Sequence, residues 1–397
     1  MSFDDFFDEP KFDYESEKKK FIDNLNFLKS MSVQEITLYK KWEEFNKDSY
    51  SMLQKASKFD GLEKSIWVPK DIYNKEQTIS EIESLNPIVE TVEQGNPKDS
   101  ENWTLLRRLI HTMEFTANPG RNIKFYVKDK NTNKVLGLIC LGSDVTSLGA
   151  RDSFIGWTKD NKFKDGKLNH TSIGTTICCV QPLGFNFLGG KLVAAMVTSS
   201  VVRDMWKKLY NQTLVGLSTT SLYGIHSMYN GIPHWKTLGE SSGRISLKPD
   251  DSSYDVWHDW VKENKSERYL RETTQKSGVA GPVTGVKQKI IKMIYDELGL
   301  KLKDFEHGFQ RGIYYADMYE NGKLFLRNEI DEKDLVMKKK YVEDMDYINN
   351  WWKPKAIRRY SKLLDENKIK PEKLFYADVL NTTWDETKAK YLGEVGR

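Results

Sequence analysis

Apolar positions recur at helical spacing through residues 1–60. Phe21, Leu25 and Leu28 share one face, and Leu38, Trp42 and Phe45 share another. Ser32 followed by Glu35 has the form of a capping box before the second helix. These residues read as a helical arm. Residues 61–99 lose the pattern and carry Pro69, Pro87 and Pro97, which reads as a linker with a short helix around Ile79 to Leu85. The pattern then sharpens. "SENWTLLRRLIHTMEF" predicts a helix opened by Ser100, "NIKFYVKD" alternates as a strand, and "DKNTNK" turns the chain into a second strand, "VLGLICLGSDV". A polar loop leads to a third strand, "GTTICCVQP". One helix follows ("LGGKLVAAMVTSSVVRDMWKKLYNQ"), then a strand ("TLVGLSTT"), a short helix ("SLYGIHSMYN") and a last strand near "WKTLGESSGRISLKP".

"PDDSSYD" and "TTQKSGVAGPVTG" read as loops. Beyond them come the amphipathic "VKQKIIKMIYDELG", a β-leaning "RGIYYADMYENGKLFLR" and the basic, aromatic "INNWWKPKAIRRYSKLLDENK". The domains expected are a helical arm (1–60), a linker (61–99), a core (100–250), a loop or linker (251–285) and a C-terminal α/β extension packed on the core (286–397). The fold class is α+β: a mixed, mainly antiparallel sheet with helices on both faces.

Composition narrows the function classes. The 397 residues are 39% hydrophobic and 30% charged, which excludes wholesale disorder, and a net charge of +4 permits a nucleic-acid partner without demanding one. Cys140, Cys178 and Cys179 make no disulfide framework, and two of them sit side by side in an apparent strand; a reducing cytoplasm is the expected compartment. The acidic start and the lack of a long apolar run give neither a signal peptide nor a membrane span.

Four places carry candidate chemistry. Between Gln181 and Lys191 a strand passes through Gly189 and Gly190 into a helix, the local shape of a phosphate cradle; the same glycines also suit tight packing of helix on strand. Arg151 and Asp152 lie in a loop with Trp157. They read either as an Arg clamp, a carboxylate base and a ring that stacks on an extruded base, or as an ion pair closing the loop over a buried Trp. His170 precedes the third strand as a base or ligand candidate, though no metal-ligand spacing accompanies it. Ser221 and Tyr223 end the fourth strand and read as proton donors or as a helix cap with packed rings. In the C-terminal stretch Lys353, Lys355, Arg358 and Arg359 suit phosphates, with Trp351 and Trp352 as stacking rings; a solvated helix anchored by its tryptophans is the alternative.

The element order resembles the GNAT acetyltransferase fold. In that fold the third of these strands is followed by an Arg/Gln-x-x-Gly-x-Gly/Ala run whose amides hold the coenzyme A pyrophosphate. The run here is Asn186-x-x-Gly189-Gly190-Lys191, so the spacing to the first glycine holds while Lys191 replaces the second small residue. The resemblance implies Gln181, Asn186, Gly189, Gly190 and Lys191 as cofactor-binding residues and acyl-CoA as the donor, with the cofactor otherwise unknown and a metal still admissible. The polar words "GLICLGSD", "ARDSFIGW", "LNHTSIGTTICCVQP", "RGIYYADMYENGKLFLR" and "WWKPKAIRRYSKLL" are similar to the DruA family of the Druantia anti-phage systems, over residues 100–365. A weaker kinship of the core is with Mom-type phage enzymes that modify adenine in DNA. These likenesses imply DNA as partner, partner proteins of a defence or phage system, and a DNA-directed group transferase or base-modifying enzyme; the alternative is a non-catalytic DNA-binding module.

Overall fold

A computed structural model describes residues 12–47, 49–116, 120–222, 227–241, 245–246, 250–273, 283–307 and 310–395. Its chain divides into two units, residues 1–36 with 243–309 and residues 37–242 with 310–397.

The larger unit is built on a sheet whose strands, among the described residues, are β1 (Pro87–Thr91), β2 (Asn122–Asp129), β3 (Val135–Ser143), β4 (Thr171–Cys179), β5 (Gly216–Ser221), β6 (Lys236–Glu240) and the later strand Gly312–Asp317. That last strand lies between β5 and β6, so the spatial order is β1-β2-β3-β4-β5-(312–317)-β6. Neighbours run antiparallel except β4 and β5, which are parallel and paired only where Thr171–Ile173 meets Gly216–Ser218. Beyond Ile173 the two strands carry no ladder in common, so the sheet splays toward their C-terminal ends.

β3 is buried along nearly its whole length, as a central strand covered on both faces requires. Trp103, Leu106 and Ile110 of the helix Pro97–Ile110 share a core with Leu192, Val193 and Met196 of the helix Gly189–Met196 and with Trp206 of Ser200–Tyr210. Gly216 is forced by its neighbour: a Cβ there would fall 1.8 Å from the Tyr315 hydroxyl, so only glycine lets that ring lie over β5.

Several expectations change. The helix Pro97–Ile110 opens three residues before Ser100, with the Asn96 side chain accepting from the Asp99 amide and Pro97 at the first turn. Residues 61–99 hold the helix Lys75–Ser84, capped by Asn74, and the edge strand β1; a five-residue strand offers too little periodicity to be read. The long helix expected after Gly190 is two helices, Gly189–Met196 and Ser200–Tyr210. The Ser32–Glu35 box forms reciprocally, at 2.8 and 3.2 Å. The second helix of the expected arm, Val33–Asn46, is core material: Leu38 and Phe45 pack with Leu105, Leu109 and Tyr376, and Trp42 Nε1 donates to the Thr382 carbonyl at 2.8 Å. The C-terminal basic stretch is one helix, Asp344–Asp365, with Pro354 inside it.

In the smaller unit the segment expected as a loop forms the helices Asp251–Asn264 and Ser266–Thr273, the first capped by Asp250. Trp257 and Val261 supply the buried face that "PDDSSYD" alone conceals. Phe21 of the helix Tyr14–Lys29 meets Trp257 and Tyr295 edge-on, at ring separations of 6.4 and 5.9 Å. Much of "TTQKSGVAGPVTG", and Tyr223, lie outside the described residues. No helix among those described is long and apolar enough to cross a membrane.

Candidate functional site

At the N-terminal end of β4 the structure gathers Arg151, Asp152 and Trp157, together with Asp144, which sequence reasoning missed. Arg151 Nη1 lies 2.6 Å from Asp144 Oδ1, and both side chains are fully shielded from solvent. The guanidinium also donates to Asp152 Oδ1 at 2.7 and 2.9 Å and to the Val145 carbonyl at 2.9 Å, and stands over the Trp157 ring. Asp152 in turn accepts from Lys162 at 2.8 Å and from the Trp157 indole at 3.0 Å. Burial pushes the Asp144 carboxyl up, with Arg151 and the Thr171 and Ser218 hydroxyls opposing. For Asp152 burial acts the same way, but hydrogen bonds from Lys162, Arg151 and Trp157 outweigh it and leave the group below its ordinary value.

The charged groups here are engaged chiefly with one another. Of the two readings of this loop, the geometry matches an ion pair closed over a buried Trp: Arg151 and Trp157 are buried and the Trp157 indole N–H is committed, while Asp152 keeps part of its side chain exposed. His170 is likewise tied, its Nδ1 2.9 Å from the Thr213 carbonyl and its ring edge-on to Phe325, with burial lowering its pKa. Ser221 is buried at the end of β5, opposite Gly312.

The glycine turn lies at the other end of β4. Asn186 is fully buried and grips the backbone of Lys370, accepting from its amide at 3.0 Å and donating to its carbonyl at 2.6 Å. Gln181 Oε1 accepts from the Phe185 amide at 2.9 Å. These two side chains shape the turn, Asn186 by a two-bond tie to the Lys370 backbone. Leu188 adopts a left-handed conformation (φ 55°) and starts the helix Gly189–Met196. A Cβ on Gly189 would stand 2.4 Å from Cys179 Sγ and 2.9 Å from the Leu183 carbonyl, so this glycine admits close approach of helix to strand. Gly190 faces the Met228 sulfur. Among the described residues, no acceptor in the chain takes the Gly189 or Gly190 amide, the ordinary condition of a helix start.

Around this start the fold assembles positive charge from two distant stretches of sequence. Trp351, Lys355 and Arg359 recur every four residues on the helix Asp344–Asp365, forming one stripe that packs by the turn. Arg359 Nε donates to the Phe185 carbonyl at 2.7 Å, and its guanidinium lies over the Phe185 ring, which Lys370 also approaches. Lys355 stands over Trp351. Lys191 reaches the Asn230 carbonyl, and its pKa is lowered, first by burial and then by the charges of Arg359 and Lys355. Burial lowers Arg359 too. Among the described residues none of Lys191, Lys355 and Arg359 has a carboxylate partner.

The rest of the C-terminal stretch divides by helix face. Trp352 is fully buried, its indole donating to the Phe187 carbonyl at 3.0 Å, so its expected stacking role is corrected to anchoring. Lys353 donates to the Glu83 carbonyl at 2.7 Å, and Arg358 is exposed. No group of three or more His, Cys, Asp or Glu among the described residues is placed to hold a metal.

The molecule is thus a mixed α+β protein with a buried ion cluster at one end of a parallel strand pair and, at the other, a basic turn whose cations lack carboxylate partners among the described residues. It belongs to the DruA family: the family model described as Druantia protein DruA matches residues 43–328. A curated relative, Druantia protein DruA from Escherichia coli (strain UMEA 4076-1), is 24% identical over 295 residues, covering 70% of each chain. No solved structure matches.

Proposed function

We propose that this protein acts in anti-phage defence, as membership of the Druantia family implies, and that its basic glycine turn binds the phosphates of a group donor used on DNA. The observation that carries this reading is the convergence of Lys191, Lys355 and Arg359 on the helix start that follows β4. Like charges held together in a half-buried place raise the free energy of the chain alone, and a bound anion offsets that cost. The free amides of Gly189 and Gly190 add donors at the positive end of the helix dipole. The parallel pair β4–β5 shares a ladder over only three residues, and the resemblance to the GNAT fold, in which the corresponding turn holds an acyl-CoA pyrophosphate, supports this reading.

Isothermal titration with acetyl-CoA and with free CoA tests this, on the wild type and on Lys191→Glu/Arg359→Glu. Binding by the wild type and at least tenfold weakening in the double variant support it. No binding to either leaves the second reading, in which the same cations hold a DNA phosphate and the protein is a non-catalytic binding module. The Arg151 network favours that second reading, because its charged groups are engaged chiefly with one another. It predicts salt-sensitive duplex binding whose log–log slope falls by about one for each cation removed.

A further inference from the structure

A surface of the larger unit beside the ion cluster carries aromatic rings and lysines that the glycine turn does not use; Lys162 of the cluster stands 5.6 Å from the centre of one of these rings, Phe163. Phe154, in the helix Gly149–Ile155, is half-buried and packs edge-on against Tyr315. Lys323 Nζ lies 3.5 Å from its ring centre and Lys236 Nζ 4.6 Å. These two lysines come from different elements, Gly322–Leu326 and β6, yet the fold holds both against one ring. Neither has a carboxylate partner among the described residues. A ring face repays part of each ammonium's lost hydration but does nothing for the repulsion between the two.

The turn after the helix Gly149–Ile155 extends the same surface. Asn161 Nδ2 donates to the Arg327 carbonyl at 3.1 Å, and Arg327 Nη1 to the Ile155 carbonyl at 3.0 Å, which fastens residues 158–165 to the segment carrying Lys323. That turn forms one wide helical loop, Asp160–Lys164, of a kind frequent at functional sites. On it Phe163 is 54% exposed, between exposed Lys159 and Lys164. Asp160 and Asp165 are exposed there too; against them stand Lys159, Lys164, Lys236 and Lys323, leaving the face positive.

We propose that this face binds single-stranded nucleic acid, with Phe163 stacking on an unpaired base and Lys159, Lys164, Lys236 and Lys323 contacting successive phosphates. The charges are dispersed over three elements on an open surface, which suits an extended polyanion and not one enclosed phosphate. A phenyl ring standing out from a turn finds a π-face only on a base free of its duplex. This inference does not rest on the glycine turn, which lies at the opposite end of β4.

The test is fluorescence anisotropy with a fluorescein-labelled oligo(dT) and with a duplex of the same length, at low and moderate salt. Phe163→Ala should weaken oligo(dT) binding roughly tenfold, the scale of one lost stacking contact, and leave the duplex little changed; Phe163→Trp should restore it. Lys236→Glu/Lys323→Glu should weaken oligo(dT) binding at least tenfold and flatten its salt dependence. Because Phe163 and Lys236 are exposed, the melting temperatures should hold. Lys191→Glu/Arg359→Glu should leave oligo(dT) binding intact, and the Phe163 variants should leave acetyl-CoA titrations unchanged, so the two readings fail separately. The inference is overturned by an oligo(dT) affinity that Phe163→Ala does not alter, by equal losses on single strand and duplex, by a wild type that does not bind, or by polyglutamate competing as well as oligo(dT).

Discussion

Arg151 and Lys191 are both cations taken partly or wholly from solvent by the same sheet, one at each end of β4, and the fold treats them oppositely. Arg151 is met by two carboxylates, a carbonyl and an indole ring. Lys191 is met by one carbonyl and two further cations. A fully compensated buried charge has no interaction left to offer a ligand, so its worth is internal. A charge left facing its own kind is poised toward an anion that has yet to arrive. The teaching is that burial of a charged residue does not mark a site; the balance of its neighbours does.

That contrast predicts stability effects of opposite sign. Arg151→Met strands Asp144 and Asp152 in place, and removing one partner of a buried pair costs about 3–5 kcal/mol; chemical denaturation should show a loss of that size, and a loss below about 1 kcal/mol would mean that the network is not sealed. Gly189→Ala probes the turn's packing: its methyl meets Cys179 Sγ and the Leu183 backbone, an overpacking cost of about 1–3 kcal/mol. Gly190→Ala meets only the flexible Met228 side chain, its sulfur nearest at 3.1 Å, and should cost under about 1 kcal/mol.

The acid limb comes next. Asp152 has a folded pKa below its unfolded one, so between the two values the unfolded chain holds a proton that the folded chain lacks. Its contribution is present above about pH 4 and is lost as the pH falls through the folded value. Asp144 is shifted upward and works the other way, losing stability as the pH rises through its folded value. Asp152→Asn should therefore flatten the fall of the denaturation midpoint in acid; an unchanged slope would remove Asp152 from the account. Smallest is Lys355→Gln, which relieves like-charge repulsion and should raise apo stability by about 0.2–0.5 kcal/mol while weakening phosphate binding. A destabilised Lys355→Gln would erase the comparison.

Much of the sheet was legible because β2, β3 and β4 announce themselves locally, by alternation and by turn residues, and the two glycines marked the helix start that follows β4. The Ser32–Glu35 box was legible for the same reason: its partners are three residues apart. What escaped was non-local. Nothing in "RGIYYAD" says that it will lie between β5 and β6, for strand order is settled by which apolar faces meet after collapse. Asp144 follows a strand with no pattern around it, and its role exists only because Arg151, Thr171 and Ser218 arrive from elsewhere. Trp157 and Trp352 looked available because a tryptophan beside charges reads the same whether it faces solvent or core. Lys191 and Lys355 were each noticed, yet their meeting was not, since over one hundred and sixty positions of chain separate them.

β6 and the strand Gly312–Asp317 are direct neighbours in the sheet, yet residues 243–309 intervene between them in sequence. The Ser241 amide donates to the Arg311 carbonyl at 2.8 Å, and the Arg311 amide returns a bond to Ser241 Oγ at 3.1 Å, so the strand pair stays closed up to these two residues. To the sheet, the excursion is equivalent to a hairpin turn of any length. The insertion itself is under a different constraint, because Trp257 and Tyr295 lean on Phe21 from the chain's beginning. The apolar stripe Phe21, Leu25 and Leu28 of that first helix is what those two rings have to keep dry.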